Sequence, residues 1–213
     1  GELFESLYLN SGISKRNIDN YLHNINLEST LSNKDKDELG KMPTFDEFEH
    51  VIYNMKPNKA PGYDGLPSEF YKSFWDYIKM NYMDMIIDCW NKKDMPTTMK
   101  TAILSLIYKS KDRDILKNYR PISLMNTDYK ILAFVFAFRV QRVISSIINP
   151  DQSAYIKKRY IGCNIRNLID LFDFCENENQ TGAFIIIDYA KAFDSVEHNF
   201  MFAALEKFNL KLT

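Results

Sequence analysis

Ala183-Phe184-Ile185-Ile186-Ile187-Asp188-Tyr189-Ala190-Lys191-Ala192-Phe193-Asp194-Ser195 is the stretch whose reading decides the fold. Its first part is a short apolar run rich in β-branched residues, the pattern of a strand buried on both faces. Asp188 stands where that strand should end. An unpaired carboxylate is costly to bury, so it is paired, at the surface or holding a cation. Mg²⁺ takes oxygen ligands and usually binds one or two carboxylates together with substrate phosphates. An Asp capping a turn fits the same pattern. Further on, Asp194-Ser195-Val196-Glu197 has the spacing of a capping box that opens a last helix, Asn199 to Phe208.

Composition narrows the function classes. An apolar fraction of 46% is enough for a sizeable core. There is no apolar run of about 18 residues and no signal peptide, so no membrane partner is expected and the chain should be soluble and intracellular, in cytoplasm and nucleus. Cys89, Cys163 and Cys175 are widely spaced, without a Cys-x-x-Cys pair, and read as reduced thiols. The three histidines are scattered and form no zinc pattern. Net charge is −1, but Lys109 to Arg166 holds twelve Lys/Arg and four Asp/Glu, a local +8 that leaves −9 for the rest. A basic block of that size fits a polyanion-facing surface. Solvated helix faces fit it as well.

Three regions follow. Residues 1–43 are polar, with apolar patches (Leu3, Phe4, Leu7, Tyr8; Ile13, Ile18, Leu22) at helical spacing; one or two short helices and a mobile linker over 28–41 are expected. Residues 44–180 open on a helix capped by Thr44 and Glu47, ending before Pro57. Lys59-Ala60-Pro61-Gly62-Tyr63-Asp64-Gly65-Leu66-Pro67 is a defined turn whose Gly backbone and Lys59 can approach a phosphate, although a purely structural turn fits too. A long helix capped by Ser68 runs to about Asn91, with Phe70, Phe74, Tyr77, Ile78, Met85, Ile86 and Trp90 as its buried side. Thr101–Tyr108 reads as a strand, and a return arm carries Asn118-Tyr119-Arg120-Pro121-Ile122-Ser123-Leu124-Met125-Asn126. Lys109, Lys111, Arg113 and Arg120 near the hairpin tip can grip phosphates, Arg through its planar fork. Thr127 to about Ile148 is a buried helix with a basic edge (Lys130, Arg139, Arg142). After it come Asp151-Gln152-Ser153-Ala154-Tyr155-Ile156-Lys157-Lys158-Arg159 and a helix from Asn164 to about Glu176. Residues 181–213 begin with the strand of the opening stretch.

Four segments of this chain, in order, resemble motifs of the reverse transcriptases of LINE-type (non-LTR) retrotransposons, over residues 44–208. They are the Lys-x-Pro-Gly-x-Asp-Gly turn with Glu69-Phe70-Tyr71 after it, Tyr-Arg-Pro-Ile-Ser-Leu-Met-Asn-x-Asp-x-Lys-Ile-Leu, the Asp-Gln segment and Phe-Ile-Ile-Ile-Asp-Tyr-Ala-Lys-Ala-Phe-Asp-Ser. In the third, Ala154 and Tyr155 stand where the family has Gly and Phe.

The resemblance implies an α+β fold: helix-rich right-hand fingers with an antiparallel hairpin, joined to the first strand of a palm. It implies an RNA-directed DNA polymerase using two Mg²⁺ ions and a deoxynucleoside triphosphate, with template RNA, a DNA primer and the remainder of the polymerase (palm, thumb) as partners. Asp188 becomes the catalytic metal ligand, Arg120 and the weaker companion Lys109 triphosphate contacts, and Phe193 the gate against a ribose 2′-OH, with Tyr189 beside the nucleotide. Lys59, Gly62, Lys111, Arg113, Gln152, Lys157, Lys158 and Arg159 become nucleic-acid contacts. The family's Tyr/Phe-x-Asp-Asp, which carries the second essential carboxylate, does not occur in these residues. One carboxylate cannot hold two metals for in-line transfer, so the 213-residue chain alone is expected to be inactive. A non-enzymatic RNA- or DNA-binding relic that kept the basic fingers is the other reading.

Overall fold

The computed structural model describes residues 12–189 and 191–210. Their elements run α1 (Lys15–His23), α2 (Asn33–Leu39), α3 (Phe45–Asn54), α4 (Ser68–Lys92), α5 (Thr97–Lys100), β1 (Ala102–Tyr108), β2 (Tyr119–Met125), α6 (Thr127–Val143), α7 (Ile161–Asn177) and α8 (His198–Lys207), with short 3-10 turns at Leu116–Asn118 and Ile144–Ser146. This is a helix-rich α+β chain with one two-stranded antiparallel sheet among the described residues. It divides into two units, Lys41–Arg139 and a second formed by Gly1–Gly40 with Val140–Thr213. The first patch of residues 1–43 (Leu3, Phe4, Leu7, Tyr8) lies outside the described residues.

In the unit Lys41–Arg139, α3 starts as its sequence dictates. The Thr44 hydroxyl accepts from the Glu47 amide, and the Glu47 carboxylate accepts from the Thr44 amide at 2.9 Å. Phe48, Val51 and Ile52 of α3 pack with Trp75, Tyr82, Met83 and Ile86 of α4 and Ile131 and Val135 of α6. Each such large apolar side chain contributes about 1.5–3 kcal/mol on full burial. The polar ends of the buried aromatics are satisfied: the Trp75 indole donates to Glu49 at 3.2 Å and the Tyr82 hydroxyl to the Asp128 carbonyl at 2.8 Å.

Two expectations for α4 need correction. Pro67, not Ser68, is its N-cap; the Ser68 hydroxyl instead donates to the Lys56 carbonyl. Of the expected stripe, Ile86 is buried and Phe70, Ile78 and Met85 pack at the edge of the core, but its centre is Tyr71, Trp75, Tyr82 and Met83, while Phe74 is exposed and Tyr77 is 83% exposed. Apolar residues lie around most of this helix, so the neighbours α3 and α6, rather than periodicity, choose the buried face. In α6 the expected basic edge is partly core. Arg139 is buried and forks onto Glu47 through two 2.6 Å bonds, and it also donates to the Lys41 and Met42 carbonyls.

The second unit has a smaller core of Leu31, Ile147 and Leu210. The expected linker over 28–41 contains α2, capped by the Ser32 hydroxyl, which accepts from the Asp35 amide at 3.1 Å. Helices α1 and α8 pack together: Tyr21 meets Phe200 at 5.8 Å between ring centroids, and the Lys207 ammonium donates to the Leu22 and Ile25 carbonyls at the end of α1. Helix α7 begins three residues earlier than expected and buries none of its residues. The capping box expected at 194–197 does not open the helix: α8 starts at His198 with Glu197 as its N-cap and no side-chain cap bond, and the Ser195 hydroxyl donates to the Lys191 carbonyl.

The expected strand over 183–187 is also absent: these residues are irregular and exposed, Ile186 to 88%. A strand exists by pairing its backbone with a neighbour. Among the described residues β1 and β2 pair only with each other. Within the run, Phe184 meets Phe172 of α7 at 5.4 Å between ring centroids.

Candidate nucleic-acid and nucleotide site

The basic hairpin is the better-defined part. β1 and β2 pair from Ala102↔Met125 to Tyr108↔Tyr119, with Ile107 opposite Arg120. The Lys109 amide continues the ladder, donating to the Asn118 carbonyl at 2.9 Å. Period-two alternation then puts Arg120, Ile107 and Lys109 on one face. The two residues expected at a triphosphate therefore share a face of one ribbon, and both are exposed.

The other face builds the tip. Tyr108 and Tyr119 meet edge-to-face at 5.6 Å. Their hydroxyls donate to the Lys111 carbonyl at 2.6 Å and the Arg113 carbonyl at 2.9 Å. The Asn118 side chain holds the Asp112 carbonyl at 2.6 Å, and the Arg113 guanidinium lies over the Tyr108 ring at 4.7 Å. Lys111 takes a left-handed conformation, φ 75°. The expected phosphate contacts Lys111 and Arg113 thus sit on an ordered loop.

The turn carrying Lys59 and Gly62 is joined to the end of this hairpin. Asn126 follows β2, is buried, and donates from its side chain to the Thr98 carbonyl at 3.1 Å. Its side-chain oxygen accepts from the Asp64 amide at 3.3 Å. The Thr127 hydroxyl donates to the Leu66 carbonyl at 2.6 Å, and Lys130 to the Ala60 carbonyl at 3.2 Å. Gly62 lies directly against Asn126 and Met125, where a Cβ would collide with backbone. Sequence reasoning treated these two motifs separately and missed Asn126 and Thr127 as their joint. The available signal was Gly62 itself, a residue type that permits close backbone approach.

Buried carboxyl chemistry gathers behind the turn. Burial, with the charge of Asp64 added, holds the Asp128 carboxyl above its ordinary range. Burial and the Asp128 charge likewise push the Tyr71 and Tyr82 hydroxyls up.

In the second unit, Gln152, Lys157, Lys158 and Arg159 form a compact turn. The Arg159 guanidinium donates to the carbonyls of Asn149, Gln152, Ser145 and Ile148, at 2.6, 2.8, 3.3 and 3.0 Å. Its donors thus close the 3-10 turn after α6 and the segment that follows it. Gln152 reaches the Ala154 carbonyl at 3.5 Å, while Lys157 and Lys158 are exposed. Tyr155 takes φ 64° and meets Phe193 edge-to-face at 5.7 Å. That contact, which the sequence did not reveal, brings the third and fourth motif segments together.

Asp188 and Tyr189 are exposed on the irregular segment 181–189. Among the described residues no group of three His, Cys, Asp or Glu side chains converges to hold a metal. Asp188 offers the hard oxygen donors that Mg²⁺ prefers, and it offers one carboxylate.

A family model described as reverse transcriptase (RNA-dependent DNA polymerase) matches residues 107–213, half of the chain. The chain belongs to the reverse transcriptase family. This reverse transcriptase chain is 35% identical over 179 residues to the transposon TX1 uncharacterized 149 kDa protein of Xenopus laevis, covering 84% of the chain and 14% of that protein. It is 25% identical over 167 residues to the retrovirus-related Pol polyprotein from type-1 retrotransposable element R2 of Popillia japonica, covering 78% of the chain and 22% of that protein. The LINE-type resemblance read from the motifs therefore holds, and the reverse transcriptase chain spans about a fifth or less of the length of these curated relatives. No helix of the described residues is long and apolar enough to cross a membrane.

Proposed function

We propose that this chain is the fingers and the start of the palm of an RNA-directed DNA polymerase that copies retrotransposon RNA by two-metal nucleotidyl transfer. The observation that carries the reading is that Arg120 and Lys109 share one exposed face of the hairpin in a chain of this family. There the planar donor fork of Arg120 engages the triphosphate oxygens of an incoming deoxynucleotide, with Lys109 adding a point charge. The exposed Asp188 carboxylate serves as one ligand of the catalytic Mg²⁺ pair. When bound, those ions would neutralise charge on the reacting phosphoryl group. The Phe193 ring, in edge-to-face contact with Tyr155, blocks the space of a ribose 2′-OH, and Tyr189 flanks the nucleotide. Lys59, Lys111, Arg113, Gln152, Lys157 and Lys158 line the path of template and primer, with the buried Gly62 and Arg159 acting through the turns they fix.

The second metal-binding carboxylate, the rest of the palm and the thumb come from the remainder of the parent polymerase. The 213-residue chain by itself extends no primer. Primer extension on an RNA template tests both statements. The parent protein should synthesise DNA with Mg²⁺ and lose synthesis on Asp188→Asn, and the chain alone should give none. Metal-dependent synthesis by the chain alone, or an unaffected Asp188→Asn parent, overturns the proposal. A binding module without synthesis is the second reading, favoured by the single carboxylate at the candidate metal position. It predicts salt-dependent RNA binding with no extension by the parent.

A further inference from the structure

We propose that Tyr63 is a stacking platform for an unpaired base of a single-stranded nucleic acid, whose phosphates run past Lys59 and Lys56. The inference rests on the reading above, in which this chain meets a template strand. It adds a residue that the motif resemblance does not supply.

Tyr63 is 72% exposed, yet the backbone around it is fixed on both sides. Before it, Gly62 is buried against Asn126 and Met125 and has no room for a Cβ. After it, the Asp64 amide donates to the Asn126 side chain at 3.3 Å, and the Gly65 amide closes the turn on the Gly62 carbonyl at 3.2 Å. Gly65 takes φ 72°, and the Asp64 carboxylate accepts the Leu66 amide at 3.0 Å, which directs that acidic group toward its own backbone. A ring presented on so constrained a turn gives up little backbone entropy when something stacks on it.

The surroundings suit a base better than a protein. Lys56 and Lys59 are exposed just before the turn. Between Lys56 and Tyr63 stand Pro57, Asn58, Lys59, Ala60, Pro61 and Gly62, with no large apolar side chain among them to rim a protein hot spot. An aromatic face beside cations is how proteins hold unpaired bases without reading their sequence.

The test is titration of the 213-residue chain with a short single-stranded RNA carrying one 2-aminopurine, followed by fluorescence and anisotropy over a range of salt. Tyr63→Ala should weaken binding roughly 5- to 100-fold and abolish the 2-aminopurine quench. It should leave the salt slope and the thermal unfolding curve unchanged. Tyr63→Phe should bind like the parent chain. Lys59→Ala should instead lower the salt slope by roughly 0.7. Unchanged affinity in Tyr63→Ala overturns the inference while leaving the polymerase reading intact, and an oligomeric state altered by that variant would reassign the ring to a protein contact. A Tyr63→Phe variant as weak as Tyr63→Ala overturns stacking as the cause. No RNA binding by the unaltered chain overturns the inference and removes the template-binding part of the proposed function.

Discussion

The two units bury apolar sequence to different extents. In Lys41–Arg139, three helices close around Phe48, Ile52, Trp75, Ile86 and Ile131, and even an arginine is drawn inside with its carboxylate partner. In the second unit, α7 buries none of its residues, and Phe184 to Ile187 stand in water. The first unit completes its core with its own elements. Both units expose apolar side chains, Tyr77 and Ile107 in the first among them, but among the described residues the first encloses a core cluster of ten buried residues and the second one of three. Stability should therefore be concentrated in residues 41–139.

The sharpest way to break this contrast is Glu47→Ala. It strands the buried Arg139 guanidinium, and removing one partner of a buried pair costs about 3–5 kcal/mol. The lower end is expected because the Glu47 carboxylate keeps partial contact with water. Urea unfolding of the two proteins measures it. Next comes Ile131→Ala, which should cost about 2–5 kcal/mol at a fully buried site. Gly62→Ala should cost about 1–3 kcal/mol, because its methyl group overlaps the backbone at Asn126.

A pH titration sharpens the same contrast. Burial pulls the Glu47 carboxyl upward, but the bonds from Arg139 and Thr44 outweigh it and hold its pKa below the usual value. Such a group is stabilising above its unfolded pKa of about 4.5, and its contribution disappears as the pH falls through the lower folded value. Asp128, held high, behaves oppositely: its contribution is most favourable in acid and is lost as the pH rises through its folded pKa. Asp128→Asn keeps an acceptor for the Tyr129 amide and should raise stability at neutral pH. Melting curves from acid to neutral pH check both signs. The smallest effect belongs to the other unit. Ile186→Ala, at an exposed position, should change unfolding free energy by less than about 0.5 kcal/mol. A loss as large as that of Ile131→Ala would erase the distinction between the units.

Local chemistry was legible in the sequence, and partner choice was not. Thr44 with Glu47 announces the start of α3 because a capping box is decided within four residues. The hairpin was readable from two β-rich runs around a polar tip, and its register put Arg120 beside Lys109. Helix α4 was readable as a helix but not fully in its orientation, because the aromatic residues at 74 and 77, which stay exposed, compete with those at 71, 75 and 82 for the core. Basic residues were countable, but their tasks were not: Arg139 serves the half-buried Glu47 carboxylate and Arg159 four carbonyls, so the +8 block overstates the charge left for phosphates. The run ending at Asp188 has strand composition, but a strand is a property of a pair.

Asn126 has a consequence for anyone recombining these proteins. Residues about sixty positions apart in the chain meet at one side chain, so the turn at 59–67 and the hairpin at 102–125 behave as a single exchangeable part. A chimera that transplants the hairpin without its turn would carry a mismatched seam, and one that moves both should keep it closed.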